Sequence, residues 1–184
     1  MSNISNEYKS QIKILYSQNK MGKNSKRKIP KLFNMPEFLE KYNPNSIIDY
    51  GCGSGGVVNY LSETYNLVEG YDPCVERYTV YPDKEYDVLV SMDVLEHIEP
   101  KLLDENLKSI SKLFTKAAYL DIHTGSSPTV LPDGRNAHLI QEQPDFWRKN
   151  ILKNMNVKIV DEFWRDPVKK DAKILNYIFI VEKI

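Results

Sequence analysis

Two groups of residues in this sequence have the types and spacing to do chemistry. The first is Asp49-Tyr50-Gly51-Cys52-Gly53-Ser54-Gly55, followed by Asp72, 21 residues beyond Gly51. Glycines at alternate positions let the backbone approach a ligand where a side chain would collide. An acidic residue at this distance can accept both hydroxyls of a ribose. The second group is Asp93, Glu96 and His97, joined by His138 within Asp133-Gly134-Arg135-Asn136-Ala137-His138. Carboxylates mixed with imidazoles can move a proton or hold a divalent cation.

The glycine loop alone is ambiguous. Gly51, Gly53 and Gly56 also satisfy the dinucleotide pattern G-x-G-x-x-G. Two features separate the readings. Asp49 stands two residues before Gly51, where a dinucleotide fold keeps an apolar residue. A carboxylate there suits a ligand with a cationic end, such as the methionine ammonium of S-adenosylmethionine (SAM). The chain also has no room for the substrate domain that dehydrogenases usually carry. A glycine-rich turn with no ligand is the bland reading, and the glycine triplet with Asp49 and Asp72 together weighs against it.

The second group has three readings. In one, His97 or His138, with Glu96 beside it, is the general base that takes a proton from a nucleophile. An imidazole titrates near neutrality, which suits that role. In another, Asp93, Glu96, His97 and His138 bind a divalent metal that orients and acidifies a substrate hydroxyl. In the third, Glu96 and His97 only cap or pack the loop. His123 closes a predicted strand and is a further candidate to face the same space.

The elements that must position these residues follow from periodicity. Ile4, Tyr8, Ile12, Leu15 and Tyr16 mark one face of a short helix. A second helix is predicted over Leu32–Tyr42, entered near Pro36, with Leu32, Phe33, Phe38 and Leu39 inward. Strands are predicted at Ser46–Tyr50, Asn66–Tyr71, Tyr86–Met92, Ala117–Ile122, Val157–Phe163 and Leu175–Glu182. Helices are predicted at Val57–Tyr65, Pro100–Phe114 and Asp145–Met155. Tyr86–Met92 is nearly all apolar, as a strand buried on both faces should be. Strands alternating with helices predict an α/β fold with a mostly parallel sheet. The link Arg165–Lys173 is too short for a helical crossover, so the last two strands should pair antiparallel.

Whole-chain quantities narrow the classes. The 184 residues fit one compact domain over 1–184, with an N-terminal helical cap (1–45) on a core of 46–184. Lys plus Arg equals Asp plus Glu, at 25 each, so no global field argues for nucleic acid. Two cysteines, Cys52 and Cys74, are too few for a zinc cage and fit a reducing, cytoplasmic setting. No apolar run has the length of a membrane span, and the N-terminus lacks the apolar stretch of a signal peptide. The strongest local charge is Lys20–Lys31, with six basic residues in twelve. It reads either as a solvated loop or as a lid attracting an anionic substrate. Oligomeric state leaves no trace in the sequence.

With these residues in place, the sequence resembles the class I SAM-dependent methyltransferases. Ile47-Ile48-Asp49-Tyr50-Gly51-Cys52-Gly53-Ser54-Gly55 looks like their motif I. Val68-Glu69-Gly70-Tyr71-Asp72 looks like the acidic end of their second strand. Tyr86 to Ile98 looks like their fourth strand and the following VLEH signature. The pairing of DVLEHIEP (Asp93–Pro100) with LPDGRNAHLI (Leu131–Ile140) resembles a short phage and bacterial subgroup.

The resemblance implies a Rossmann-like, mostly parallel seven-stranded sheet with an antiparallel closing strand. It implies SAM held by Asp49, Gly51, Cys52, Gly53, Gly55, Asp72, Pro73, Met92 and Asp93, with S-adenosylhomocysteine as product. The methyl acceptor would be a small molecule or glycan, or alternatively RNA, in the cytoplasm (the host's, for a phage-encoded chain). A non-catalytic SAM-binding protein is the third reading. The acid-x-x-Glu-His run with a later His also resembles the metal set of small-RNA 3′-terminal 2′-O-methyltransferases, which carry Glu where Asp93 stands. One departure stands out. About fourteen residues separate Asp72 from Asp87, which barely fits a helix and a third strand, so that strand is expected to be reduced. Asp83 is the nearest candidate to hold adenine's amino group, and the stretch Tyr78–Tyr81 offers apolar contacts instead.

Overall fold

A computed structural model describes residues 4–21, 34–165 and 175–184. The element order is α1 (Asn6–Ser17), α2 (Met35–Tyr42), β1 (Ser46–Tyr50), α3 (Gly56–Leu61), β2 (Leu67–Tyr71), β3 (Tyr86–Met92), α4 (Leu103–Ile110), β4 (Phe114–His123), α5 (Pro144–Asn154), β5 (Val157–Trp164) and β6 (Asn176–Lys183). Lys23 to Lys31 of the basic stretch, the inward Leu32 and Phe33, and nearly all of the link after Arg165 lie outside the described residues.

The strands form one sheet in the order β2-β1-β3-β4-β6-β5. β1 pairs parallel with β2 and β3, and β3 with β4. β6 runs antiparallel to both β4 and β5, as the short link between the last two strands requires. Successive strand residues point to opposite faces, and the two cores follow from that. Ile48, Leu89 and Leu120 pack with Leu107 and Ile110 of α4 and Trp147 and Ile151 of α5. Ile47, Val88, Val90 and Tyr119 pack with Phe38 and Leu39 of α2 and Val57 and Leu61 of α3. Each such aliphatic side chain contributes about 1.5–3 kcal/mol by leaving water. The central strands have to be apolar on both faces, which is why Tyr86–Met92 lacks alternation.

The sheet differs from the seven-stranded expectation. Six strands are present among the described residues, and no strand lies between β2 and β3. That interval holds a single 3₁₀ turn, Glu76–Tyr78. Tyr81 then packs edge-on against Tyr71, with ring centroids 5.0 Å apart. The chain is too short there to build a helix and another strand, so β2 is left as an edge. Two helices also end early. α3 stops at Leu61 rather than Tyr65, and the predicted helix over Pro100–Phe114 is a 3₁₀ turn (Pro100–Leu102) running into α4, with Phe114 already opening β4.

The order of the sheet reverses at β1: β2 lies on one side of it and β3 on the other. In open α/β sheets this switch point, at the carboxyl ends of the strands, forms the binding crevice. α1 roofs that end. Tyr8, Ile12 and Leu15 pack against Cys74, Leu131 and Ala137. The main-chain N–H of Ser5 donates to Glu99 (2.8 Å), and Gln11 exchanges hydrogen bonds with Asp133. No helix among the described residues is long and apolar enough to cross a membrane.

Candidate active site

The loop after β1 needs glycine at two positions for two reasons each. Gly51 has φ +81°, and a Cβ there would lie 2.4 Å from a Val94 methyl. Gly55 has φ +82°, and a Cβ there would lie 2.2 Å from the Tyr78 hydroxyl. Backbone conformation and crowding therefore both oppose a side chain. Gly51→Ala is expected to destabilise the protein by about 2–4 kcal/mol. A thermal melt unchanged from wild type would contradict this packing.

The loop's N–H groups face inward. Those of Gly51 and Cys52 donate to the Tyr71 carbonyl, that of Gly55 to the Cys52 carbonyl, and that of Gly53 to Asp72 Oδ2 at 3.0 Å. A dinucleotide loop presents such groups to a pyrophosphate. Here these four are already engaged, which sets the loop apart from a dinucleotide cradle.

The crevice holds instead two neighbouring buried acids, Asp49 and Asp72, with no ion pair to either among the described residues. Asp49, at the core of β1, is 2% exposed, and its Oδ2 has no hydrogen-bond partner among the described residues. Burial, with the neighbouring Asp72 carboxylate adding to it, pushes its pKa up to about 8. Asp72 is also raised by burial, offset in part by the hydrogen bonds it accepts. These come from the main-chain N–H of Cys74 (2.8 Å), from Gly53, and from the Tyr16 hydroxyl of α1 (3.0 Å). Tyr16 thus stands where a ligand hydroxyl meeting Asp72 would arrive.

The raised carboxyl has a consequence for pH. The unfolded Asp49 releases its proton near its ordinary value of 3.8, the folded one only near 8. Between these values the folded state holds the extra proton, so the stability of the ligand-free protein falls as pH rises through that window. The melting temperature is expected to drop between pH 6.5 and 8.5, and Asp49→Asn should shrink the drop. An equal drop in the variant would contradict the assignment.

The second group gathers beside this crevice. Glu96 and His97 sit on a 3₁₀ turn, Leu95–His97, just beyond β3. Glu96 is fully buried; its Oε1 accepts the main-chain N–H of His123 at 3.2 Å, and its Oε2 has no partner. Burial first, then the nearby Asp93, raises its pKa well above the ordinary range. His97 Nδ1 lies 2.7 Å from the Ala137 carbonyl, and His138 Nδ1 lies 2.7 Å from the Gly125 carbonyl. A carbonyl only accepts, so both Nδ1 atoms carry the proton, and both Nε2 atoms present a bare lone pair. Burial lowers the pKa of His97 to about 4 and also lowers that of His138, so both rings are neutral near pH 7. The rings meet edge to face, with centroids 4.8 Å apart, and His123 lies 4.5 Å from His138 on the other side.

Asp93 goes elsewhere. It adopts φ +54°, rare for a residue other than glycine. Its Oδ1 accepts from Asn176 Nδ2 at 2.6 Å, and its Oδ2 lies 3.9 Å from the Arg165 guanidinium. Arg165 and Asn176 also hold the buried Asp121. The ligand atoms of Glu96, His97 and His138 lie within 4.8 Å of one another, and Asp93 is outside that group.

The remaining sequence candidates are placed as follows. Cys52 is buried in a small cluster with Val58 and Tyr78. Pro73 is half-buried beside Asp72, and Met92 packs on the α2 side of the sheet. Asp83 is exposed. Arg135 pairs with Asp133 through both its Nε and Nη2, so it serves the turn it belongs to. Asn136 accepts the N–H groups of Ser127 and His138 and pins the loop that carries His138. Sequence reasoning missed Tyr16, Asn176 and Arg165, whose partners lie far away in the chain.

Comparison with known proteins identifies the family. The family model described as "Methyltransferase domain" matches residues 21–173. The chain belongs to this methyltransferase family. A search of curated proteins gives no match. Among solved structures, the fold is similar to a SAM-dependent methyltransferase from Clostridium acetobutylicum, at 13% identity and TM-score 0.62, over 81% of this chain and 89% of that one. It is also similar to the 1,6-didemethyltoxoflavin-N1-methyltransferase of Burkholderia thailandensis, at 14% identity and TM-score 0.64, over 95% of this chain and 86% of that one. A third is the magnesium protoporphyrin IX methyltransferase of Synechocystis with bound S-adenosylhomocysteine, at 15% identity and TM-score 0.58, over 82% and 81% of the two chains.

Proposed function

We propose that this methyltransferase takes its methyl group from SAM, bound across the ends of β1 and β2, and passes it to an oxygen or nitrogen of a small molecule or glycan. The observation that carries the cofactor assignment is the uncompensated acid pair. Asp49 has an unpartnered buried oxygen and a second carboxylate beside it. The methionine ammonium of SAM supplies the cation this pair lacks, and the ribose hydroxyls suit Asp72. Gly51, Gly53 and Gly55 keep the loop flat against the ligand, with Cys52, Pro73, Met92 and Asp93 around it.

When bound, SAM supplies a sulfonium-activated methyl, so the protein's task is positioning and exclusion of water. The half of the site toward Glu96, His97 and His138 receives the acceptor. The Nε2 lone pairs of His97 and His138 accept its hydrogen bond and take its proton as the methyl is transferred. His138 is the better base, because the low pKa of His97 leaves it a weak one.

Two of the three structural relatives named above are methyltransferases of small molecules, magnesium protoporphyrin IX and 1,6-didemethyltoxoflavin, which supports that acceptor class. RNA is the alternative, resting on the basic stretch, of whose basic residues Lys20 alone lies among the described residues, and on a divalent metal at Glu96, His97 and His138. Incubation of methyl-labelled SAM with a cell extract separates these. Label is expected in the low-molecular-weight fraction. Label confined to RNA would replace the acceptor class, and no label in any fraction would contradict transfer.

A further inference from the structure

We propose that Glu96, His97 and His138 form a binding site for one divalent first-row transition cation such as Mn²⁺, Fe²⁺, Co²⁺ or Zn²⁺. Asp93 is not one of its ligands. Three independent features point the same way. The carboxylate Oε2 of Glu96 is buried and has no hydrogen-bond partner among the described residues, a costly arrangement unless a cation or proton satisfies it. Both histidines donate Nδ1–H to main-chain carbonyls, which fixes the tautomer that leaves Nε2 bare. A donor held on one ring nitrogen is how metal-binding histidines are usually oriented. The ligand atoms of all three residues lie within 4.8 Å of one another, and His138 Nε2 is 4.0 Å from Glu96 Oε1. With metal bonds of about 2.1 Å, ligand atoms in a tetrahedral set stand roughly 3.4 Å apart, so the three groups close in by up to about 1.4 Å when the ion binds.

The donor set selects the ion class. Two imidazoles and one carboxylate suit transition cations better than Mg²⁺, which prefers oxygen. Three protein ligands leave coordination positions open for the acceptor. A hydroxyl bound there would lose its proton more readily; with the cation in place the Nε2 lone pairs of His97 and His138 serve as its ligands, and the cation takes over the task of the histidine base. The main-chain contacts reinforce the set. The carbonyl of Glu96 accepts from the N–H of Ile140 at 3.0 Å, tying the turn that carries Glu96 and His97 to the loop that carries His138. Asp93 is excluded by its partners, Asn176 and Arg165.

Cation binding is independent of the cofactor, so this proposal and the SAM assignment fail separately. Metal-stripped protein is titrated with Mn²⁺, Co²⁺ and Zn²⁺ by calorimetry, and Co²⁺ binding is followed by its visible spectrum. One cation per chain is expected. Loss of a ligand in His138→Ala or His97→Ala should weaken binding by at least about ten- to hundredfold, while Asp93→Asn stays within a few-fold of wild type. SAM affinity and the melting curve serve as controls. His97 also anchors the Ala137 loop; if His97→Ala does not fold, His138→Asn decides the matter. No saturable binding of any of the three ions at millimolar concentration overturns the proposal. So does unchanged affinity in a folded His138 variant, or a collapse of affinity in Asp93→Asn.

Discussion

Asp49→Asn is expected to abolish measurable SAM binding while raising the melting temperature of the ligand-free protein. The two effects share one cause. Asp49 is a buried carboxyl with an unpartnered oxygen and another acid beside it. Such a group opposes folding at neutral pH, because the unfolded chain would let it ionise in water. An amide of the same shape removes that opposition, and a gain of several degrees is expected for a chain of this size. The same change removes the partner of the ligand's ammonium. Losing one side of a buried charge pair costs about 2–5 kcal/mol, or roughly thirtyfold to several thousandfold in affinity. Asp72→Asn should weaken binding as well, with less gain in stability, because Asp72 already accepts hydrogen bonds from Cys74, Gly53 and Tyr16. Calorimetry and melting curves on the two variants check both halves. Wild-type SAM affinity in both would sink the assignment, as would a destabilised Asp49→Asn.

Replacing His138 is expected to lower methyl transfer by about a hundredfold or more, within the range for removal of a group that handles the acceptor's proton. SAM affinity should change by no more than a few-fold. His138 lies on the loop after β4, and its bare Nε2 faces Glu96 rather than the glycine loop. His97→Ala should show the same split, with an added loss of stability, because its Nδ1 holds the Ala137 carbonyl. The readout is label transferred from methyl-labelled SAM at saturating cofactor. A variant that loses SAM affinity and transfer together would mark the histidines as structural supports of the crevice.

The central strands were legible because their burial is nearly total. Ile47 and Ile48, or Val88 and Leu89, are 0% exposed on opposite faces, and such runs announce a central parallel strand. The glycine loop was legible because glycine is forced there, by φ near +80° and by Val94 and Tyr78 pressing in. The short Asp72–Asp87 interval was visible from the outset, but it was read as a reduced third strand in a seven-stranded sheet, and no strand forms there. Other features had no local signal. Asp93 lies three residues before Glu96, which in a helix would share its face. Its left-handed backbone and its partners Asn176 and Arg165, contributed from beyond β5, turn it away instead. Tyr16 read as one apolar tooth of a helix face, and nothing in the sequence aims its hydroxyl at a carboxylate 56 residues on. The approach of His97, His123 and His138 brings together the turn after β3, the end of β4 and the loop after β4, and periodicity speaks only of single elements.

The central claim is that the crevice between Asp49 and Asp72 is built for SAM and not for a dinucleotide. Its most direct test is a calorimetric titration of the wild-type protein with SAM and, separately, with NAD, at pH 7.5 in two buffers of different ionisation enthalpy. One SAM is expected to bind per chain. Its apparent enthalpy should depend on the buffer, because Asp49 gives up its proton when the ammonium arrives, and NAD should give no heat of binding. Saturable NAD binding with none for SAM would contradict the account.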